Sequence, residues 1–377
     1  MKKTIQEINQ KIKRKKATVV TAEEMTHIVQ SVGPVKAAEK VDVVTTGTFG
    51  AMCSSGIWIN FGHSEPPIKI AKCWLNDVQG YSGVAAVDTY LGAAQFSDSK
   101  GELYGGAHVI EDLVKGKHVT LRAEARATDC YPREFVETVL SINDLNQVTM
   151  CNPRNAYQKY AVATNSGSRT LYTYLGKLLP RFGNAAFSGA GELSPLINDR
   201  FFRTIGIGTR IFLGGAKGYI IGNGTQHSPE TEFGTLMVQG DLKKMDPKFL
   251  KAASFKRYGP SLYVGIGIPI PVLDAQVAHG AGVSDEEILT TVLDYSVPSR
   301  NRPVLRPVSY AELKSGEIDI KGKKVKTHCL SDLSRAKKIA STLKHWIEEG
   351  AFYLTEPVES LSREGACQPM HESRTRV

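Results

Sequence analysis

Thr204-Ile205-Gly206-Ile207-Gly208-Thr209-Arg210-Ile211-Phe212-Leu213-Gly214-Gly215-Ala216-Lys217-Gly218-Tyr219-Ile220-Ile221 is built almost wholly from glycine, β-branched and aromatic residues. Such a run reads as strands joined by tight turns, with glycine where a backbone or a ligand comes close. Leu262-Tyr263-Val264-Gly265-Ile266-Gly267-Ile268 has the same character and is ended by Pro269 and Pro271. Upstream, Val41-Asp42-Val43-Val44-Thr45-Thr46 reads as a buried strand. It runs into a glycine-rich turn, Gly47 to Gly56, and then into the strand-like Ile57-Trp58-Ile59-Asn60-Phe61. Ala86 to Gly106 is a second glycine-rich region and reads as loop.

Helical spacing frames these strands. Ile5, Ile8 and Ile12 recur among basic residues, which predicts an amphipathic helix docked on the body. Thr21-Ala22-Glu23-Glu24 is a capping box opening a helix through about Val32, and Ser284-Asp285-Glu286-Glu287 and Ser309-Tyr310-Ala311-Glu312 open two more. A last helix starts near Ser331, carries Leu333, Ala336, Ile339, Ala340, Leu343, Trp346 and Ile347 on one face, and stops at Gly350. The fold class is therefore mixed α/β, a body of glycine-punctuated strands covered by helices. A composition change suggests a body over 1–283, a helical C-terminal portion over 284–360 and a mobile tail over 361–377. One internal similarity stands out. Gly47-Thr48, Gly56-Ile57-Trp58-Ile59 and His63-Ser64 resemble Gly208-Thr209, Gly218-Tyr219-Ile220-Ile221 and His227-Ser228, which would make two related halves facing one cleft.

Composition narrows the function. At 377 residues with 41% hydrophobic and 23% charged content, the chain has the balance of an ordinary globular protein. No apolar run reaches membrane-spanning length. Met1-Lys2-Lys3-Thr4-Ile5 is followed by no apolar core of a secretory signal, so a cytoplasmic location is expected. Cys53, Cys73, Cys130, Cys151, Cys329 and Cys367 form no short pair, which argues against a zinc module or a cluster and for reduced thiols. The net charge of +9 comes without a zinc finger, an RNA-binding aromatic motif or a helix-turn-helix, so small anions or an acidic protein fit it better than nucleic acid.

Cys130 is the first candidate. Lys117 to Arg126 alternates like a strand with one buried face, and Asp129-Cys130-Tyr131-Pro132-Arg133-Glu134-Phe135-Val136 reads as a turn opening a helix with Pro132 at its first position. Amide groups and the positive dipole end there would favour a thiolate. Period-2 alternation would put Arg122 and Arg126 on the same side. Asp129 opposes the thiolate, and a small buried hydrophobe is the alternative reading. Cys53, in Met52-Cys53-Ser54-Ser55-Gly56, has small neighbours that leave a sulfur accessible. Two such thiols could meet as a thiol–disulfide pair, or as a persulfide carrier and its resolving thiol; tight packing of a small residue competes for Cys53. His63 and His227 are turn histidines able to act as acid or base, although a satisfied surface histidine explains either, and Asn223-Gly224 is a good turn. No metal ligand set, phosphate loop or hydrolase elbow occurs.

Three strings, Thr45-Thr46-Gly47-Thr48-Phe49-Gly50-Ala51-Met52-Cys53-Ser54-Ser55-Gly56, Asn60-Phe61-Gly62-His63-Ser64 and Thr128-Asp129-Cys130-Tyr131-Pro132-Arg133, resemble the homocysteine biosynthesis family from about Ile8 to about Val358. The resemblance implies L-aspartate semialdehyde sulfurtransferase activity, as in anaerobic archaea and bacteria. It also implies a persulfide on Cys130, a second family cysteine at Cys53 and a ferredoxin-like iron–sulfur partner that supplies electrons. No tightly bound cofactor is expected. On this reading Arg122, Arg126 or Arg133 holds the substrate carboxylate, with His227 and Asn223 as further substrate-binding candidates. His63 protonates the aldehyde oxygen and Cys53 resolves the adduct. Sulfide or another donor supplies the sulfur, and a homo-oligomer is left open. Rival readings are a persulfide carrier or anion-binding protein without turnover, and an unrelated ligase or transferase acting on a carboxylate.

Overall fold

The computed structural model describes residues 2–151 and 156–370. Its architecture is mixed α/β, as the sequence predicts, with most strands in three sheets. The largest sheet runs in the order 250–255, 259–267, 210–213, 216–223, 236–241, 147–151, 56–60, 88–92, and strand Thr48–Met52 pairs on the free side of 259–267. Strands 48–52 and 56–60 follow each other in the chain yet lie at distant places in this order. The sheet therefore bends back on itself, and Cys53-Ser54-Ser55 joins its two arms. Alternation sets the faces: Ala216, Gly218 and Ile220 point inward, and Lys217, Tyr219 and Ile221 point out. Gly214 and Gly215, at φ 58° and 89°, close the hairpin between 210–213 and 216–223 in a backbone region that side chains disfavour.

A six-stranded sheet runs 135–140, 119–125, 70–75, 78–80, 96–97, 101–105. Helix Gly106–Val114 buries Val109, Ile110 and Leu113 in the core that the two sheets share. The third sheet runs 304–309, 289–294, 162–164, 185–187, 323–329, 317–320. It takes strands from both sides of residue 283, so the segment after Ser284 is not the helical portion expected but contributes four strands. The Ser284–Glu287 box forms, with the Ser284 N–H and hydroxyl both donating to Glu287 Oε2, but it closes a turn ahead of strand 289–294. The alternating run Leu289–Asp294 outcompetes a helix there.

Helix Ile5–Lys13 buries Ile5, Ile8 and Ile12. Each buried isoleucine is worth about 1.5–3 kcal/mol. Asp42 anchors it, pairing with Lys3 at 3.0 Å and Lys11 at 2.7 Å; burial pushes this carboxyl up, but bonds from Lys11, the Thr18 amide and Lys3 outweigh that and hold it below its usual range. The Thr21 box opens a helix that stops near Val32, as the sequence predicts; Gly33 (φ 78°) leaves helical geometry, and a second helix continues past Pro34 to Lys40. Helix Leu333–Glu348 starts under an Asp332 cap and buries Ala336, Ile339, Ala340, Leu343 and Ile347. No helix among the described residues is long and apolar enough to cross a membrane.

Two further expectations change. The similar segments do not form facing halves: 210–213 and 216–223 pair as a hairpin, whereas 48–52 and 56–60 pair with other strands of the same sheet. The tail, expected to be mobile, is tied down as far as Cys367, with Leu361 buried, Ser362 N–H donating to Asn223 Oδ1 and Cys367 N–H to Ser228 Oγ. Residues 371–377 lie outside the described residues.

Candidate active site

Strand Val119–Ala125 forms as the alternation of 117–126 requires, but no helix follows it. Phe135–Leu140 returns antiparallel along it, pairing Phe135 with Glu124 and Glu137 with Arg122. Pro132 therefore sits in a hairpin loop, and Cys130 has no helix N-terminus beside it. The reason is the run Phe135-Val136-Glu137-Thr138-Val139-Leu140, whose β-branched alternation finds a ladder partner next door. Residues 126–130 are all exposed, so Cys130 stands open on an arm and is not the small buried hydrophobe of the alternative reading.

The arm is anchored at its base. Thr128 and Tyr131 exchange backbone hydrogen bonds at 2.9 and 3.1 Å, and the Tyr131 ring stacks on His63 with centroids 5.8 Å apart. Arg133 donates its amide to Pro67 O and its guanidinium to Glu65 O at 3.2 Å. The fold thus brings His63 and Arg133 to the Cys130 arm, with Arg126 exposed on it. Arg122 is turned to the sheet face, paired with Glu124 at 2.9 Å and 4.5 Å over the Trp74 ring. His227 and Asn223 are far from this arm in the topology and hold the tail. His227 Nδ1 faces Thr235 and Nε2 faces Ser362 O at 2.9 Å, so both ring nitrogens are engaged. Those two residues position backbone rather than a substrate.

Cys53 occupies a different setting. It lies half-buried in the turn between 48–52 and 56–60, and Tyr258 Oη donates to its Sγ at 3.3 Å. Burial first, and the Cys53 contact second, push the Tyr258 hydroxyl above the usual tyrosine range, which keeps it protonated as a donor. Further tyrosines continue the wall: Tyr174 lies 6.1 Å from Tyr258 and shares a 2.8 Å hydroxyl contact with Tyr295, while Tyr157 donates to Met52 Sδ at 3.1 Å. Burial likewise raises Tyr160 and Tyr174, with Cys53 among the smaller causes at Tyr160. Cations rim this wall, Arg302 lying 3.9 Å over Tyr295 and Arg257 5.0 Å over Tyr172. Sequence reading missed these tyrosines because they are scattered from 157 to 295 with no shared spacing.

Beyond Cys53 the strand 56–60 is crowded. A Cβ on Gly56 would lie 2.2 Å from Tyr90 Oη, so only glycine lets that ring cross. Opposite Gly56 stands Cys151; burial pushes its thiol up to about 11, against hydrogen bonds to Trp58 and Tyr90 that favour the thiolate. Cys73 is fully buried against Thr89, and burial pushes Cys329 up to about 11. Among the described residues no group of three or more His, Cys, Asp or Glu could hold a metal ion. A cavity of about 1080 Å³ opens elsewhere, beside Arg200, Phe202, Arg203 and His279, and no cysteine lines it.

Both thiols are free and lie in separate turns, Cys130 exposed and Cys53 half-buried. Cys53 precedes strand 56–60, whereas His63, stacked on Tyr131 of the Cys130 arm, follows it.

A family model described as "Homocysteine biosynthesis enzyme, sulfur-incorporation" matches residues 17–354. The chain belongs to that family. It is 58% identical over 374 residues to the L-aspartate semialdehyde sulfurtransferase of Methanosarcina acetivorans, covering 99% of this chain and 75% of the relative. With the protein of the same name from Methanocaldococcus jannaschii it shares 56% over 376 residues, covering 96% of this chain and 74% of the relative. No solved structure matches. The chain is thus a sulfur-incorporating enzyme of homocysteine biosynthesis, and its two separated thiol turns are the features to interpret in that chemistry.

Proposed function

We propose that this enzyme is an L-aspartate semialdehyde sulfurtransferase that makes L-homocysteine, with sulfur carried as a persulfide on Cys130 and electrons from a ferredoxin-like iron–sulfur protein. The carrying observation is the high identity to two relatives named for that reaction, together with an open thiol on an arm bearing Arg126, Arg133 and, stacked beneath it, His63. The terminal persulfide sulfur adds to the aldehyde carbon and His63 protonates the oxygen. Arg126 or Arg133 holds the carboxylate. Cys53 thiolate then attacks Cys130 Sγ, a Cys53–Cys130 bond forms, the bond from Cys130 to the carried sulfur breaks, and that sulfur leaves with the electron pair. The thiohemiacetal so released loses water and takes two electrons and two protons to become the thiol. Sulfide then attacks Cys130 Sγ of the disulfide: a new S–S bond forms as the Cys53–Cys130 bond breaks, which restores the Cys130 persulfide and the Cys53 thiol. The iron–sulfur protein supplies the two electrons that the thiol needs.

The exposure of Cys130 also suits a sulfur carrier without turnover. One assay separates the readings: homocysteine formed from aspartate semialdehyde, sulfide and a reductant. Wild type is expected to form it and Cys130→Ala to lose on the order of 1,000-fold or more. Persulfide on the Cys130 peptide without homocysteine would select the carrier. Full activity of Cys130→Ala would reject both.

A further inference from the structure

We propose that the working unit is a pair of copies of this chain, in which the 126–134 arm of one copy carries Cys130 to the Cys53 turn of the other. The inference rests on the reading above, in which the two thiols must bond. A disulfide needs Cα atoms within about 7 Å.

Two independent paths through the fold keep them apart. Along the large sheet, strand Gly56–Asn60 lies between the Cys53 turn and the His63 loop under the arm. At roughly 3.3 Å per residue it spans on the order of 13 Å. Across the six-stranded sheet, strands 119–125 and 135–140 form one edge and 101–105 the other. Strand 101–105 leans on 259–267, whose Leu262 pairs with Met52 next to Cys53. The four strand spacings between 119–125 and 101–105, about 4.8 Å each, make a width on the order of 20 Å.

The arm is also not a hinge. Ala125 N–H donates to Glu134 O at 2.8 Å across its neck, and the Thr128–Tyr131 turn, the Tyr131–His63 stack and both Arg133 bonds hold it against residues 63–67. Swinging Cys130 back along its own chain would break all of them. A second copy reaches the Cys53 turn with the arm as it stands.

Both surfaces are prepared for such a contact. Strand 135–140 is outermost in its sheet, with Phe135 49% and Val139 60% exposed. Near the Cys53 turn, the outer row of the large sheet runs through Gly56, Cys151, Gln239 and Tyr219 in register. Tyr219, Trp58 and Tyr81 stand exposed around that row, with Tyr90 linking the last two rings at 5.1 and 6.2 Å. Apolar edge and apolar face are the surfaces that monomers usually cover. A two-fold arrangement would complete two identical sites, each with Cys130 from one copy and Cys53 from the other. The redox balance is that of the proposed reaction: the disulfide joins two chains, and sulfide reopens it as the Cys130 persulfide and the Cys53 thiol.

The test is complementation. Cys53→Ser and Cys130→Ser, each nearly inactive alone, are co-expressed with different tags. Random pairing makes half the dimers mixed, each with one intact site, so about one quarter of wild-type activity should return. A mixture no better than its components overturns the shared site but leaves the proposed reaction standing. Single variants that keep full activity overturn the two-thiol reading and this inference with it. Wild-type protein oxidised with diamide gives a measurement independent of the variants. On a non-reducing denaturing gel the expected product is a linked dimer, lost in either serine variant. A disulfide formed only within one chain would refute sharing.

Discussion

The Cys53 turn and the Cys130 arm are both short connections between strands, each placing a cysteine beside small or polar residues, yet the fold treats them oppositely. Cys53 is walled by tyrosines, and its neighbours Met52, Ser55 and Gly56 are buried. Cys130 has exposed residues before it, and the His63–Tyr131 stack lies at the base of its arm. The first turn joins two arms of one sheet: strand 56–60 is paired on both sides, and 48–52 pairs with 259–267 and packs on helix 333–348. The second ends at an edge strand, so half its surroundings are solvent. Access and enclosure are thereby divided between two thiols, an arrangement suited to taking sulfur from outside at one and finishing chemistry in a less hydrated place at the other.

Unfolding measurements should show the contrast most strongly. Ile57 is fully buried on strand 56–60, and Ile57→Ala should cost about 2–5 kcal/mol in urea titration. Arg126→Ala on the exposed arm should stay within about 0.5 kcal/mol. Equal losses at the two positions would erase the distinction.

A second contrast is visible in alkali. The folded Cys151 thiol sits at about 11, above the ordinary value near 8.5. Its contribution to stability is complete below about pH 8.5 and is lost as pH rises through 11. Cys151→Ala should flatten the decline of stability over that window. An unaltered alkaline limb in Cys151→Ala would refute this account of the Trp58–Tyr90 surroundings.

The smallest effect is chemical. Tyr258→Phe deletes the donor to Cys53 Sγ and should cost about 1 kcal/mol. It should change the rate at which iodoacetamide labels the Cys53 peptide while the Cys130 peptide labels as in wild type. Parallel changes at both peptides would mean that the two turns are coupled.

Much of the fold was legible along the chain. Ile5, Ile8 and Ile12, the Thr21 box and the apolar face of 333–348 gave helices because 3.6-residue spacing and capping are local properties. The glycine-rich run from 206 to 221 gave strands for the same reason. Local reading failed at Pro132, where a proline suited to a helix start was overruled by the ladder offered to 135–140. It failed again at Asn223 and His227, whose hydrogen-bond partners come from a tail more than a hundred residues away. Cys130, Cys53, His63 and Arg133 were singled out from their local strings, but the tyrosines around Cys53 could not be.

The amino-acid sequence alone determined the class of fold and the family, since propensity, capping and long matching strings reside in neighbouring residues. Only the tertiary structure decided that one thiol is enclosed and the other open, and that strand 56–60 stands between them. Those facts depend on which distant strands pair, and pairing is settled by burial and hydrogen bonding summed over the whole chain.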